Sequence, residues 1–203
     1  LMEPIEGKVF YEGTSFWDAD HATREQIIRR CGISYQRGAL WTSMTLGENV
    51  ALPLQQFTSL PDREIEDLVS LKLSLVGLSG FEEYYPAEMS GGRQKRAALA
   101  RASALDPDRL NFDEPSAGLD PVSARRLDEL ILELRDSLGA TAIVVSHELE
   151  SIFEIGDNSV FLDMESKTSI ATGDPNELRE HCEDPRVRAF LTRGEAETSP
   201  VAR

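Results

Sequence analysis

Between Leu110 and Val145, two short apolar runs flank one long amphipathic stretch, and this arrangement constrains the fold more than any other feature. Asp120-Pro121 opens the middle stretch as a helix, with Asp as N-cap and Pro at the first helical position. Leu127, Leu130, Ile131, Leu134 and Leu138 line one face, and Gly139 closes the helix. Ala142 to Val145 is a continuous apolar run, the pattern of a strand buried on both faces of a parallel sheet. Leu110 to Phe112 is also strand-like and follows Pro107, which breaks the preceding helix. Such a chain is α/β, and 203 residues suffice for one domain with a small subdomain.

Upstream, residues 7–11 (GKVFY) form a β-like run ending at Glu12-Gly13, and residues 33–35 form another leading into Gln36. A short helix is expected between them, in DADHATREQIIRRC. Glu48 to Leu52 reads as a short helix stopped by Pro53. A second helix starts near Pro61-Asp62, with Ile65, Leu68, Val69, Leu73 and Val76 in one stripe and Gly77 and Gly80 at its end. Residues 158–163 and 168–171 suggest a closing hairpin, and the residues after about Gly194 a disordered tail.

Charge and apolar content exclude several function classes. The net charge is -15, from 36 acidic and 21 basic residues, which argues against coating nucleic acid or adhering broadly to an anionic bilayer. A local basic cluster is expected at Arg93, Lys95, Arg96 and Arg101. No apolar run approaches the ~18 residues of a membrane span. Cys31 and Cys182 lack metal-like spacing and, with no secretory leader evident, read as buried or free thiols in a reducing compartment.

Several short stretches carry chemistry. In MSGGRQKRAALAR, Ser90-Gly91-Gly92 precedes a helix expected to begin near Arg93. A helix N-terminus offers unpaired N–H groups, glycine lets a phosphate approach closely, and the serine adds a donor. The plain alternative is an N-cap serine and a glycine linker. Asp113 ends a strand, where its carboxylate suits Mg²⁺, and Glu114 stands where it can polarise an attacking water. The plain alternative is a turn at Pro115 in an acid-rich chain. Asp120 is at least an N-cap. His147 follows the buried strand, where an imidazole can reach a phosphate or simply face solvent.

MSGGRQKRAALARA, PDRLNFDEPSAGLDP and TAIVVSHELES, in that order, resemble the ATP-binding subunit of an ABC transporter over about residues 1–193. QRGALWTSMTLGENVALPL and DPRVRAFLTRG narrow the resemblance to the Mla/Mce-type ATPases, which serve phospholipid or other hydrophobic-molecule transport. The implied fold is the P-loop NTPase-like ABC ATPase domain, a parallel sheet flanked by helices with a helical subdomain. The resemblance makes Ser90, Gly91 and Gly92 the signature motif, Asp113 and Glu114 the Walker B pair, Asp120 the D-loop aspartate, Gln36 the Q-loop glutamine and His147 the switch histidine. It implies ATP and Mg²⁺, with Glu114 and His147 catalytic, Asp113 and Gln36 at the metal, and Gln36, Ser90, Gly91, Gly92 and Asp120 at the nucleotide. Implied partners are a second ATPase subunit, head to tail, and a transmembrane permease. Membrane contact comes only through that permease, at the inner face of the cell membrane on the cytoplasmic side.

The family also has a GxxxxGK[ST] loop, and no such string occurs here. The only Gly-Lys is Gly7-Lys8, in a strand-like run. The resemblance implies that the chain starts where the helix after that loop would end. The expected organisation is a remnant of an antiparallel β subdomain with the Q-loop (1–46), a helical subdomain (47–92), the core (93–193) and the tail (194–203). An ATP-hydrolysing subunit is the first reading; the second is a non-catalytic truncated subunit that pairs with a complete ATPase or is a degenerate product. DNA-repair and chromosome ATPases share the motifs but carry long coiled coils, for which Gln36 and Ser90 lie too close together.

Arg109 and Asn111 interrupt the apolar strand before Asp113, and alternation places both on one face.

Overall fold

The structure, a computed structural model, describes residues 2–36 and 38–193; the expected tail lies outside the described residues. The chain divides into two compact units after Val145.

In the first unit, strands β1 (Phe10–Tyr11) and β2 (Thr14–Ser15) form an antiparallel hairpin. Only the end of the expected run 7–11 is therefore strand. Helix α1 (His21–Arg29) is capped by Asp20, whose side chain accepts from the Thr23 N–H. Strand β3 (Cys31–Ser34) pairs in parallel with β4 (Arg109–Asp113), and β4 with β5 (Thr141–Val145), so β4 is the central strand of the three described. Gly32 is required by packing: a Cβ there would lie 2.1 Å from the Ala102 carbonyl oxygen, where helix α4 (Gly91–Ala102) ends against β3.

One sheet face carries Leu110 and Phe112, both buried. The other carries Arg109, Asn111 and Asp113, with Ile143 and Val145 in register beside them. Ile143 and Val145 are 51% and 60% exposed, so β5 is not buried on both faces. Alternation sends these two branched side chains to the same open face as the polar residues of β4. That face answers the interruption in the apolar strand. Arg109 reaches Glu12 at 3.2 Å and lies over the Tyr11 ring, while the Asn111 amide donates to the Gly32 carbonyl.

Helix α2 (Leu46–Phe57) runs through Pro53 rather than stopping there. A mid-helix proline costs about 3 kcal/mol. Against that stand a capping box from Thr45 and Glu48 and the burial of Leu46, Val50 and Leu54. Helix α3 (Asp62–Leu75) buries the expected stripe at Ile65, Val69, Leu73 and Val76. It ends at Gly77 in a left-handed cap, with Gly77 N–H to Ser74 and Leu78 N–H to Leu73. Within the stripe Lys72, 4% exposed, is paired with Asp106. Helix α4 begins at Gly91, two residues earlier than expected. Helix α5 (Pro121–Leu138) follows its expected cap, stripe and Gly139 ending.

The second unit holds helix α6 (Leu149–Ile155), the hairpin of β6 (Ser159–Asp163) and β7 (Thr168–Gly173), and helices α7 (Pro175–His181) and α8 (Pro185–Leu191). Its core is Leu149, Val187 and Leu191, packed by Phe153, Phe161 and Leu178 among others.

Candidate functional site

Ser90 has the extended backbone of an N-cap (φ -62°, ψ 155°), yet its side chain makes no capping hydrogen bond. Ser90 and Gly91 are exposed. A Cβ built on Gly91 meets nothing within 4 Å, so this chain's own packing does not demand glycine there. The N-terminus of α4 thus presents a bare hydroxyl, a bare glycine and unpaired N–H groups, the local chemistry of an anion site. The loop behind it is fastened by Gln94, whose amide donates to the carbonyls of Pro86 (2.9 Å) and Met89 (3.1 Å).

Five residues into α4, the Lys95 ammonium reaches the carbonyls of Pro115 and Ala117, both at 2.6 Å, and of Glu114 at 3.3 Å. Burial lowers the Lys95 pKa, and the Glu114 carboxylate opposes that shift. Helix α4 therefore grips the turn after β4. In that turn Asp113 is exposed at the strand end and Glu114 is half-buried, with its N–H on the Val145 carbonyl at 2.8 Å. Glu114 has φ +47°, in the left-handed region. For a residue other than glycine this costs on the order of 1–3 kcal/mol and persists where surrounding contacts hold it. Downstream, Asp120 caps α5 through the Ser123 N–H at 3.0 Å, and hydrogen bonding from Ser123, side chain first, lowers its pKa. Leu119 lies 3.8 Å from the Cβ position of Gly92, which brings the segment before Asp120 against the first turn of α4.

Gln36 is exposed, two residues past β3. Its loop is tied down from two sides. The Arg101 guanidinium, at the other end of α4, donates to the carbonyls of Ala39 (2.7 Å) and Gly38 (2.8 Å). The buried Asn49 accepts from the Trp41 N–H and donates to the carbonyls of Trp41, Met44 and Thr45. Tyr35, Trp41, Leu52, Phe57, Ile28 and Arg101 line a cavity of about 410 Å³ beside this loop.

His147 belongs to the second unit, two residues past β5 in the chain. It is exposed, with Nε2 3.7 Å from a Glu148 carboxylate oxygen. Thus Gly92 is brought against Leu119, the Glu114–Ala117 turn is brought to Lys95 of the same helix, and the loop that follows Gln36 is joined to that helix through Arg101, while Ser90 is placed only as its N-cap.

The expected basic cluster is dispersed. Lys95 and Arg101 are spent on main-chain carbonyls and Arg93 lies over the Phe81 ring at 4.7 Å. Lys8, of the one Gly-Lys pair, is held by Asp18 at 2.6 Å. Sequence reasoning missed Asn49, Gln94, Lys95 and Arg101 as positioning groups. The available signal was a set of long cations on a helix whose Ala97, Ala98 and Ala100 are buried: a cation so close to the core must find oxygen partners.

A family model described as ABC transporter matches residues 1–117. The chain belongs to the ABC transporter family. It is an ATP-binding subunit, an ABC ATPase by family. It is 39% identical over 190 residues to the Escherichia coli (strain K12) intermembrane phospholipid transport system ATP-binding protein MlaF, covering 94% of this chain and 70% of that protein. It is 37% identical over 191 residues to the probable ribonucleotide transport ATP-binding protein mkl of Mycobacterium bovis, covering 94% of this chain and 52% of that one. Among solved structures, the ATP-binding cassette MJ0796, a dimer in a post-hydrolysis state bound to ADP and Pi, superposes with a TM-score of 0.74 at 27% identity, covering 85% of this chain and 75% of that one.

ABC ATPases bind ATP with Mg²⁺, and the donors present fit that ion. Among the described residues no group of three His, Cys, Asp or Glu could hold a metal. Mg²⁺ needs no such cage: one or two carboxylates plus substrate phosphates serve, and Asp113 is an exposed carboxylate beside Glu114. No described helix is long and apolar enough to cross a membrane.

Proposed function

We propose that this ABC ATPase hydrolyses ATP to energise a transporter for phospholipids or related hydrophobic molecules. Glu114 is the general base that takes the proton of the attacking water. Asp113 holds the metal, which when bound neutralises charge on the transferring phosphates. Gln36 joins the metal and water to the permease contact, and His147 faces the γ-phosphate. Ser90, Gly91 and Gly92 close over ATP brought by a second subunit, head to tail, and Asp120 acts across that interface. The organisation follows: Q-loop region 1–46, helical block 47–92, core 93–193.

The observation that carries the reading is the bare N-terminus of α4 gripping the Glu114 turn through Lys95. It supports one helix serving both an anion and the water-activating acid. The cavity beside the Q-loop supports a permease segment docking there, at the inner face of the membrane. Exposed Tyr35 and Trp41 flank it and Arg101 leads from it to α4. The phospholipid cargo is supported by the name of the 39%-identical relative; selectivity itself belongs to the permease.

The test is Glu114→Gln in the ATPase assembled with its permease. ATP binding is expected to persist while hydrolysis falls by about a thousandfold, the scale of losing an activating base together with its charge. Hydrolysis at the unaltered rate overturns the assignment.

A further inference from the structure

Lys95 fits neither the anion site nor a surface ion pair. Its ammonium has three N–H donors and meets three main-chain carbonyls, at Glu114, Pro115 and Ala117. All three belong to the turn that carries the proposed general base, and the first is that of Glu114 itself. Glu114 is also the residue of that turn in the left-handed region without being glycine. Such a backbone relaxes unless its surroundings hold it. Its own N–H on Val145 and the Ala117 N–H on its carbonyl at 3.3 Å help to hold it. An ammonium centred on converging carbonyls supplies what neutral turn hydrogen bonds do not, a charge-assisted hold.

The same lysine sits on the helix whose first turn is Ser90-Gly91-Gly92. Lys95 is the fifth residue of that helix, so a displacement at its N-terminus is carried along the backbone to the residue that bears the ammonium. From the geometry we infer that Lys95 is a positioning residue: it ties the signature helix to the turn bearing Glu114, so that seating the signature motif on a phosphate and aiming the Glu114 carboxylate become one event. This rests on the reading of Glu114 as general base. Arg101 extends the tie along α4 to the Q-loop carbonyls of Gly38 and Ala39. The hydrogen bonds of Lys95 go to main-chain carbonyls, so it holds the turn through its backbone, with the Glu114 carboxylate near enough to act on the ammonium.

The test uses Lys95→Met, Lys95→Gln and Lys95→Arg, with Glu114→Gln alongside, in the ATPase assembled with its permease. Steady-state kcat and KM for ATP are measured, together with deuterium exchange at the amides of residues 114–119 without nucleotide. Lys95→Met is expected to lower kcat by about tenfold or more with KM changed less than about twofold, and to speed exchange across the turn. Lys95→Arg, which keeps charge and donors, is expected to regain a substantial part of kcat. Lys95→Gln keeps two donors without the charge and is expected to fall between, and it carries the test if Lys95→Met does not fold. Three results overturn the inference: an unaltered kcat in Lys95→Met, or in Lys95→Gln where Lys95→Met does not fold; a lost kcat with unaltered exchange at 114–119; or equal losses in all three variants. An active Glu114→Gln removes the general-base reading instead. An inactive Glu114→Gln beside a fully active Lys95→Met removes only the role given to Lys95.

Discussion

At the scale of single residues, polar side chains aimed at main-chain carbonyls do most of the positioning. Asn49 is fully buried and meets four backbone groups between Trp41 and Thr45. It joins α2 to the segment that follows Gln36. Asn49→Ala strands a donor and several acceptors away from water, and each unmade buried hydrogen bond costs about 1–3 kcal/mol. A loss of about 2–4 kcal/mol is expected in urea unfolding. A loss below about 0.5 kcal/mol would mean that the loop re-forms its bonds without Asn49. Lys72 follows the same logic with a charge, buried in the α3 stripe and met by Asp106, itself left-handed at φ +48°. Such groups are hard to read in a sequence. Asn49 occupies a helix position that periodicity marks as core, and nothing local announces carbonyls eight residues upstream.

At the scale of elements, caps and apolar stripes were legible because they are local. Asp120-Pro121 with Gly139, and the α3 stripe with Gly77, fall where the spacing places them. Pro53 was misread because the buried face that carries α2 through it is a tertiary fact, whereas the Thr45–Glu48 capping box that starts the helix is local. The exposure of Ile143 and Val145 was missed for a similar reason: an apolar run shows that a strand is β-prone, not which faces are covered. Helices α6, α7 and α8, each of seven residues, were too short for periodicity to expose. Helix α8 does carry a signal in Asp184-Pro185, an N-cap followed by proline. Asp184 accepts from the Arg186 N–H and guanidinium, and Arg186 also reaches Asp163 at 2.9 Å. The guanidinium hydrogen bond, followed by the backbone one, holds Asp184 down to about 2, and hydrogen bonds from Ser166 with help from Arg186 lower Asp163. A lowered folded-state pKa contributes stability that is whole above the ordinary Asp value near 3.8 and is lost as pH falls toward about 2. The Asp184 contribution to the stability of the second unit is therefore expected to fade within that window. In Arg186→Met the Asp184 carboxyl, followed by NMR, is expected to titrate higher but still below its ordinary value, because the backbone N–H remains. An unmoved midpoint would show that Arg186 does not hold Asp184.

At the scale of the whole molecule, motif order carried more information than any single motif. Ser90-Gly91-Gly92 alone reads equally as a cap and linker, and Asp113-Glu114 as a turn in an acidic chain. In sequence with His147 they identify an ABC ATPase, and the family match bears this out. What the order could not carry is the physical link between motifs, because Lys95 and Arg101 act through backbone atoms that leave no trace in residue type. The link makes α4 a single bar, with a bare N-terminal end, a grip on the Glu114 turn and a grip on the loop that follows Gln36. The account stands on the bare end of that bar meeting a phosphate. Gly91→Asp tests it directly. The new Cβ has open space and an acidic residue suits the first helical turn, so the melting temperature is expected to stay within about two degrees of its original value. The carboxylate, however, would face the phosphate. In the ATPase assembled with its permease, hydrolysis is expected to fall by about tenfold or more, whereas hydrolysis at the original rate in that folded variant would contradict the account.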